Sequence, residues 1–372
     1  MKRCLIHLRI EYLAWIKDPI TILGGFIPTL VMLFAFGMLF GGVLSFKIAY
    51  INHDEGQAGE LLLQTFHEVI SPLNHQPYYL VQQLDENEAW HAFDHHQIDG
   101  VWVVPKNFSS SIAAGKPGKI SMFFSNYNDD RAKNHRIYSA EILWTFFQKL
   151  GMQPPIELTE THKLPQLMDW FPIIAVGLIQ LSAIIGGMMN MFMLTHKEKV
   201  CGILQEVSTA PYSLLPFLLA KAILSVILSL LTGTAFMFVV YLWIGAWPVG
   251  QFLLTWVYLG LGAMFWIFIS LVLGIKFKAY MAGAVTSILL SILMFFISGG
   301  LNIVRGNEKN MVFFARIFPN MYAVDPLRDL ILQHSVPADV AATLTILLAF
   351  TVFAMICGIS ITARAIRRQM MN

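Results

Sequence analysis

The side chains best spaced for chemistry lie between residues 91 and 99. His91 and His95 fall four apart on a run that reads as helix, with Asp94, His96 and Asp99 close by, a spacing that could hold a divalent metal ion. Two imidazoles are too few for a firm site, and no Glu follows the first His as an H-E-x-x-H base would, so a solvated helix face is the better reading and no metal is expected. Ser109, Ser110 and Ser111 read as helix-start residues before they read as nucleophiles, and no hydrolase constellation accompanies them. Gly115-Lys116-Pro117-Gly118-Lys119 lacks the G-x-x-x-x-G-K-[ST] spacing that cradles a nucleotide phosphate. Cys4, Cys201 and Cys357 stand far apart, so neither a disulfide nor a zinc site is expected. These residues exclude a hydrolytic or redox enzyme.

The elements that must position any site are mostly apolar. The chain is 56% hydrophobic and 13% charged, so charge is confined to a few segments whose gaps mark membrane spans. Apolar runs long enough to cross a bilayer cover 20–44, 170–194, 214–247, 251–275, 279–304 and 340–363. The third carries Pro216 near its start and is over-long, which predicts a tilt, a kink or an interfacial beginning. A cleavable secretory leader is a poor reading of the first run, which starts late and lacks an Ala-x-Ala site. Lys2, Arg3, Arg9 and Lys17 precede that run; Lys197 and Lys199 follow the second, Lys276 and Lys278 the fourth, and Arg364, Arg367 and Arg368 the sixth. Basic residues resist translocation, so both termini are expected in the cytoplasm of a bacterial plasma (inner) membrane protein, with 46–169 and 305–339 outside. No basic, aromatic-interleaved patch suggests nucleic acid.

Ion-coupled carriers need ionisable groups near mid-membrane. The six runs contain no Asp, Glu, His or Arg, and their one charge, Lys221, sits about two turns inside the third, where its stem could snorkel to the cytoplasmic surface. Gln180, Asn190, Thr232, Thr234, Ser270, Thr286, Ser298 and Asn302 read as helix-joining hydrogen bonders. Any transport by this chain would draw its energy from a separate subunit.

Between the second and third runs, Val200, Ile203, Leu204 and Val207 fall at i, i+3, i+4 and i+7, the stripe of one short helix over 198–208, which Pro211 stops. Glu198, Gln205 and Glu206 project elsewhere on it. This segment resembles the E-x-E/K-x-G-T-L-E-Q-L-x-x-x-P motif of the type-2 ABC transporter permeases. Glu198, Gly202, Leu204, Gln205 and Pro211 stand at matching positions, and Lys221 matches a Lys often found where the next span begins; Ile203 replaces the usual Thr. Leu5, Leu8, Tyr12 and Trp15 recur at three and four, an amphipathic stripe over 1–19 with Arg3, Arg9 and Lys17 placed for lipid headgroups. In the family this stretch is a cytoplasmic connecting helix.

Residues 45–169 alternate β-rich and helical runs, an α/β pattern: strands near 47–52, 78–83, 100–104 and 120–124, helices near 57–70, 86–96, 108–114 and 131–150. The run Ile98 to Phe108 followed by Ala114-Gly115-Lys116-Pro117 resembles the family's extracytoplasmic domain. Phe318 to Arg328 resembles its L-P-x-x-Y-x-V-[DE]-x-L-R element, an outer helix near the exit carrying Pro319, Tyr322, Asp325 and Arg328. Asp325 and Arg328, three apart, would contribute a few tenths of a kcal/mol as an exposed pair. Ser298-Gly299-Gly300-Leu301 resembles the family's S-G turn, which breaks a helix at membrane depth.

The resemblance implies an α-helical polytopic membrane protein with six transmembrane helices and an α/β extracytoplasmic domain between helices 1 and 2; residues 170–372 hold helices 2–6, the coupling helix and the outer loop 305–339. It implies the permease subunit of a multidrug- or lipid-type ABC exporter, working as a dimer with a second copy or a sibling permease. An ABC ATPase would bind ATP and Mg, none of it held by this chain, and a periplasmic adaptor could join. Lys197, Glu198, Lys199, Gly202, Leu204, Gln205, Glu206 and Pro211 would couple to the ATPase. The second and fifth spans would line the dimer seam, with Gln180, Met188, Asn190, Met191, Met294, Phe296 and Ser298 as a path for hydrophobic or amphipathic drugs or lipid-like molecules. The alternatives from other classes are a membrane-anchored receptor or assembly factor using the α/β domain to bind, and a lipid-modifying enzyme, for which no polar catalytic cluster appears.

Overall fold

A computed structural model describes residues 2–17, 19–40, 45–72, 75–95, 97–124, 129–151, 170–209, 213–301 and 309–369. Contacts divide the chain into two compact units, 1–41 with 164–372, and 42–163.

The first unit is all helical. It opens with α1 (Lys2–Ile16) and α2 (Pro19–Phe40) and resumes, beyond the second unit, at a helix through Trp170. The second unit begins with strand β1 (Phe46–Asn52), then α3 (Gln57–Glu68), β2 (Tyr79–Gln82), α4 (Glu86–Asp94), β3 (Gly100–Val104), α5 (Phe108–Ala113), β4 (Ser121–Phe124) and α6 (Asp129–Lys149). Its four strands form one sheet in the order β2-β1-β3-β4, with β1 parallel to β2 and β3, and β4 antiparallel to β3. Central β1 is buried on both faces from Ile48 to Ile51, which explains the apolar run there. Phe46, Ile48 and Tyr50 point into one core with Leu62 and Phe66 of α3 and Ile142 and Phe146 of α6. Ala49 and Ile51 point the other way, against Ala89 and Ala92 of α4.

The first unit continues with α7 (Trp170–Val200), α8 (Ile203–Thr209), α9 (Leu215–Ile244), α10 (Phe252–Lys276), α11 (Tyr280–Ile297), α12 (Lys309–Arg316), α13 (Met321–Leu332) and α14 (Val340–Gln369). Among the described residues α7, α9, α10, α11 and α14 are long and apolar enough to cross a membrane, and α2 adds a shorter apolar stretch, Leu23–Met38. The unit is therefore that of a polytopic membrane protein. Helix α7 is its axis: 89% of its most apolar stretch is buried, against 22% for α14.

Small residues let the helices close on that axis. Side chains at Gly25 of α2 and Gly186 of α7 would collide with the Gly186 backbone and with the Thr232 side chain of α9 respectively, so α2 and α7 meet backbone to backbone and Thr232 packs against the same spot. Ser229 donates to the Ala183 carbonyl at 2.6 Å and Ser270 to the Met188 carbonyl at 2.6 Å, bonding α9 and α10 to α7.

Helix ends differ from the apolar runs where backbone chemistry intervenes. Gly245, left-handed at φ 70°, stops α9 three residues short of Pro248, although the apolar run continues to Trp247. Helix α11 ends at Ile297, before Ser298-Gly299-Gly300; the expected continuation to 304 lies partly outside the described residues.

Candidate functional site

Both ends of the helical unit carry polar side chains that apolar helices cannot leave unpaired. At the first, Lys221 on the second turn of α9 is fully buried. Its Nζ lies 2.7 Å from Glu11 Oε1 of α1 and also pairs with Glu198 Oε2 near the end of α7. The Phe217 ring, one turn back, lies 4.6 Å from the same ammonium. This corrects the expectation that Lys221 snorkels: α1 lies across α9 and closes the route to water, so the charge is met by carboxylates. It also corrects the outward projection of Glu198, which is half-buried and turned inward.

The neighbouring corner is a helix, a glycine and a second helix. Helix α7 continues through Lys197 and Glu198 to Val200, and α8 begins at Ile203. Between them Gly202 stands at φ 77° with open space around it, so the break is a backbone requirement and not a steric one. The single helix expected over 198–208 is thus two, and its stripe divides. Leu204 is buried in a cluster with Phe217, Leu271, Ile275 and Ile366, whereas Val200 is 70% exposed. Gln205 and Glu206 face outward, as does Lys197; Pro211 lies outside the described residues.

Lys199, expected among the residues that couple to an ATPase, bonds within the chain. Its ammonium donates to the Ile275 carbonyl at 2.5 Å and the Phe277 carbonyl at 3.0 Å. Those acceptors end α10, where carbonyls lack helical partners, so Lys199 fastens the α7 end to the α10 end. His196 stacks nearby on Phe192 and faces Tyr280 of α11.

At the opposite end Arg328 of α13 is the hub. Its guanidinium donates to Asp325 Oδ1 at 3.1 Å, to the Gly299 carbonyl at 2.7 Å, to the Gly300 carbonyl at 3.0 Å and to the Ile173 carbonyl at 3.3 Å. Arg328 and Asp325 are buried, so the expectation of a weak exposed pair is wrong. The pair occupies a seat between α7, α13 and the broken end of α11, whose freed carbonyls need a donor. Burial pulls the Arg328 pKa below its ordinary value, against the opposing pull of Asp325 and Asp329. Pro319 is buried, Asn320 beside it accepts from the Trp266 indole of α10, and Tyr322 donates to the Arg316 carbonyl at 3.2 Å.

A profile of the ABC-2 family transporter proteins matches residues 19–359. The chain belongs to that family. Among solved structures it is similar to a crystal structure of a domain assigned to an ABC type-2 transporter from Thermotoga maritima MSB8. The two are 17% identical over 29% of this chain and 73% of that one, with a TM-score of 0.23. No curated protein matches the chain significantly.

In this ABC-2 transporter chain the side chains expected to line a substrate path are mostly interior. Gln180, Met188, Asn190 and Met191 of α7, with Met294 and Ser298 at α11, are buried in the chain's own core. Asn190 donates to the Gly186 carbonyl at 2.7 Å, and Ser298 bonds the Met294 carbonyl. The axial position of α7, enclosed by α2, α9, α10, α11 and α13, is the reason. Phe296 alone of that set is exposed, at the end of an α11 face that also presents Met281, Val285, Leu289 and Leu293. In the second unit His91 and His95 stack at 4.1 Å, and His95 Nδ1 lies 2.9 Å from the His91 carbonyl; His96 lies outside the described residues. Ser109 does cap a helix, but α3 and not its own: its Oγ accepts from Ala58 N at 2.9 Å and donates to Asp54 at 2.5 Å.

Sequence reasoning missed Glu11 entirely. The signal was present, since Glu11 is the one acid in the first sixteen residues and shares a helix face with Leu8 and Trp15. Those two pack on Leu194, Leu224 and Leu228, while Leu5 and Tyr12 of the expected stripe point outward.

Proposed function

We propose that this chain is the membrane-spanning permease subunit of an ATP-driven ABC exporter, with α2, α7, α9, α10, α11 and α14 as its six spans. Helix α2, at 22 residues, is about 33 Å long at 1.5 Å per residue and suits a bilayer core. By the bias of basic flanks we read the Lys199 end as cytoplasmic and the Arg328 end as external, with residues 46–169 also on the external side of the membrane. Family membership implies an ABC ATPase partner, which would supply ATP and Mg chemistry. The cargo class is a hydrophobic or amphipathic molecule, a drug or lipid-like compound, and a second permease copy or sibling would complete the pathway. An adaptor protein bound to the sheet unit fits the same scheme.

The observation that carries this reading is the corner at Gly202. The polar face of α8, with Gln205 and Glu206 outward, stands on a helix end tied to α1, α9 and α10 by Glu11, Lys221, Glu198 and Lys199. A push on α8 therefore reaches the whole bundle. The test is co-purification of the solubilised full chain with its ATPase, wild type beside Glu206→Arg. Recruitment of an ATPase by wild type, weakened at least tenfold in the variant, is expected. A wild-type chain that recruits no ATPase would favour a membrane-anchored receptor.

A further inference from the structure

Where α1 crosses the end of α7, two acids meet one base out of water. Glu11 of α1, Glu198 of α7 and Lys221 of α9 leave 3%, 13% and 0% of their side chains exposed, and both carboxyls address the same ammonium. With both acids ionised the group would hold one net negative charge in apolar surroundings, which is costly. A single proton makes it neutral. Glu198 stands beyond the apolar run that ends at residue 194. Burial, with the neighbouring Glu11, pushes its carboxyl up to about 8 against the opposing pull of Lys221. At neutral pH Glu198 therefore keeps the proton, and Glu11 pairs with the ammonium.

The other titratable groups around this corner are His7 and Arg9 on α1, His196, Lys197 and Lys199 on α7, Cys201, Glu206 on α8, and Lys276 and Lys278 at the end of α10. Lys199 binds the carbonyls that end α10, and His196 stacks on Phe192. Arg9, Lys197, Cys201, Glu206, Lys276 and Lys278 are exposed, so water and salt attenuate their charges. A cavity of about 240 Å³ between α1, the end of α7, α8 and the start of α9 reaches both carboxyls. Its rim at Lys197 and Cys201 is exposed, which gives a proton access from water. Leu8 and Trp15 of α1, packed on Leu194, Leu224 and Leu228, supply an apolar part of the same contact.

We infer that Glu11, Glu198 and Lys221 form a proton-binding site whose proton latches α1 to the corner of α7 and α9, so that α1 is released as pH rises. With α1 lifted away, Glu198 meets water and returns to its ordinary value, 4.5, so the released state holds no proton at neutral pH. Docking thus takes up one proton in the window from that value to about 8. Release becomes about tenfold easier per pH unit across the window and levels off above it, where neither state holds the proton. The latch lies within this chain and stands independently of the transport reading.

The experiment is hydrogen exchange of the α1 amides in the full chain in neutral maltoside micelles, with wild type and variants compared at equal pH so that intrinsic exchange cancels. From about pH 6 to about pH 7.5 the opening of wild-type α1 should rise about 30-fold relative to Glu198→Gln. Glu11→Gln should be as flat as Glu198→Gln, because either change leaves one carboxylate for one ammonium and no need of a proton. It also carries the comparison if Glu198→Gln does not fold. Infrared spectra supply a second readout: the carbonyl band of a protonated carboxyl should be present in wild type at neutral pH, fade as pH rises through about 8, and be missing from both variants. Equal pH dependence in all three chains, or a wild type without that band, would overturn the assignment.

Discussion

A lysine held between two glutamates in an apolar setting is stable only as a set. Removing Lys221 leaves two carboxylates facing each other without a cation, the costliest of the possible deletions. We expect Lys221→Met to lower stability by roughly 3–5 kcal/mol, the range found when one partner of a buried ion pair is lost. Adding Glu11→Gln and Glu198→Gln to Lys221→Met should restore most of it, because uncharged amides remove the repulsion. Thermal unfolding of the full chain in detergent checks both. If the triple variant is as unstable as the single one, burial of uncompensated charge is not what makes Lys221 necessary. The same logic explains why composition alone misjudged this residue. A single Lys in an apolar run looks free to reach water until the helix that covers it, and the acid on that helix, are known.

Among the elements, α3 shows how a helix start can depend on a distant loop. Asp54 accepts from Gly59 N at 3.2 Å and from Ser109 N at 3.0 Å, and Ser109 in turn accepts from Ala58 N. Burial pushes the Asp54 carboxyl up, but the bonds from Ser109 and Gly59 outweigh it and hold its pKa below the ordinary value. A carboxyl depressed in the folded state stabilises fully above its unfolded pKa, about 3.9. That contribution is lost as pH falls through the lower folded value. Asp54→Ala should cost about 1 kcal/mol at neutral pH, as loss of a helix cap does. The difference from wild type should shrink below about pH 4. Hydrogen exchange of the Ala58 and Gly59 amides in the full chain, compared at equal pH, measures it; a difference independent of pH would remove the carboxylate from the account.

The element scale also shows what was readable. The strands expected near 47–52 and 100–104 run Phe46–Asn52 and Gly100–Val104, because bulky and β-branched residues between turn formers leave few alternatives. Long apolar helices were equally plain, their ends less so, since Gly202 and Gly245 act through backbone torsion that hydropathy does not register. The Arg328 hub was visible as a motif but not as chemistry. Its partners are carbonyls, which every residue has and no sequence advertises.

For the whole molecule, the distribution of exposure decides where another chain could meet this one. Helix α7 is spent on the interior, and the apolar face left open on α11 runs through Met281, Val285, Leu289, Leu293 and Phe296. If two permeases meet along that face, Leu289→Cys in a cysteine-free background should give an oxidative dimer in membranes. Leu348→Cys on α14, also exposed, should stay monomeric. The reverse pattern would move the seam to α14.

Helix α7 runs unbroken from Gly177, where any side chain would strike the Gly300 carbonyl, to Lys199, which grips the end of α10. That is about 33 Å at 1.5 Å per residue. A rod of this length without a hinge has no slack to store, so its two ends share one clock. If α8 is pushed as the transport proposal requires, a displacement of the Lys199 end is expected to reach the four bonds of Arg328 at the other end of the same rod. On that proposal the inner and outer ends would open and close as one degree of freedom read at two places.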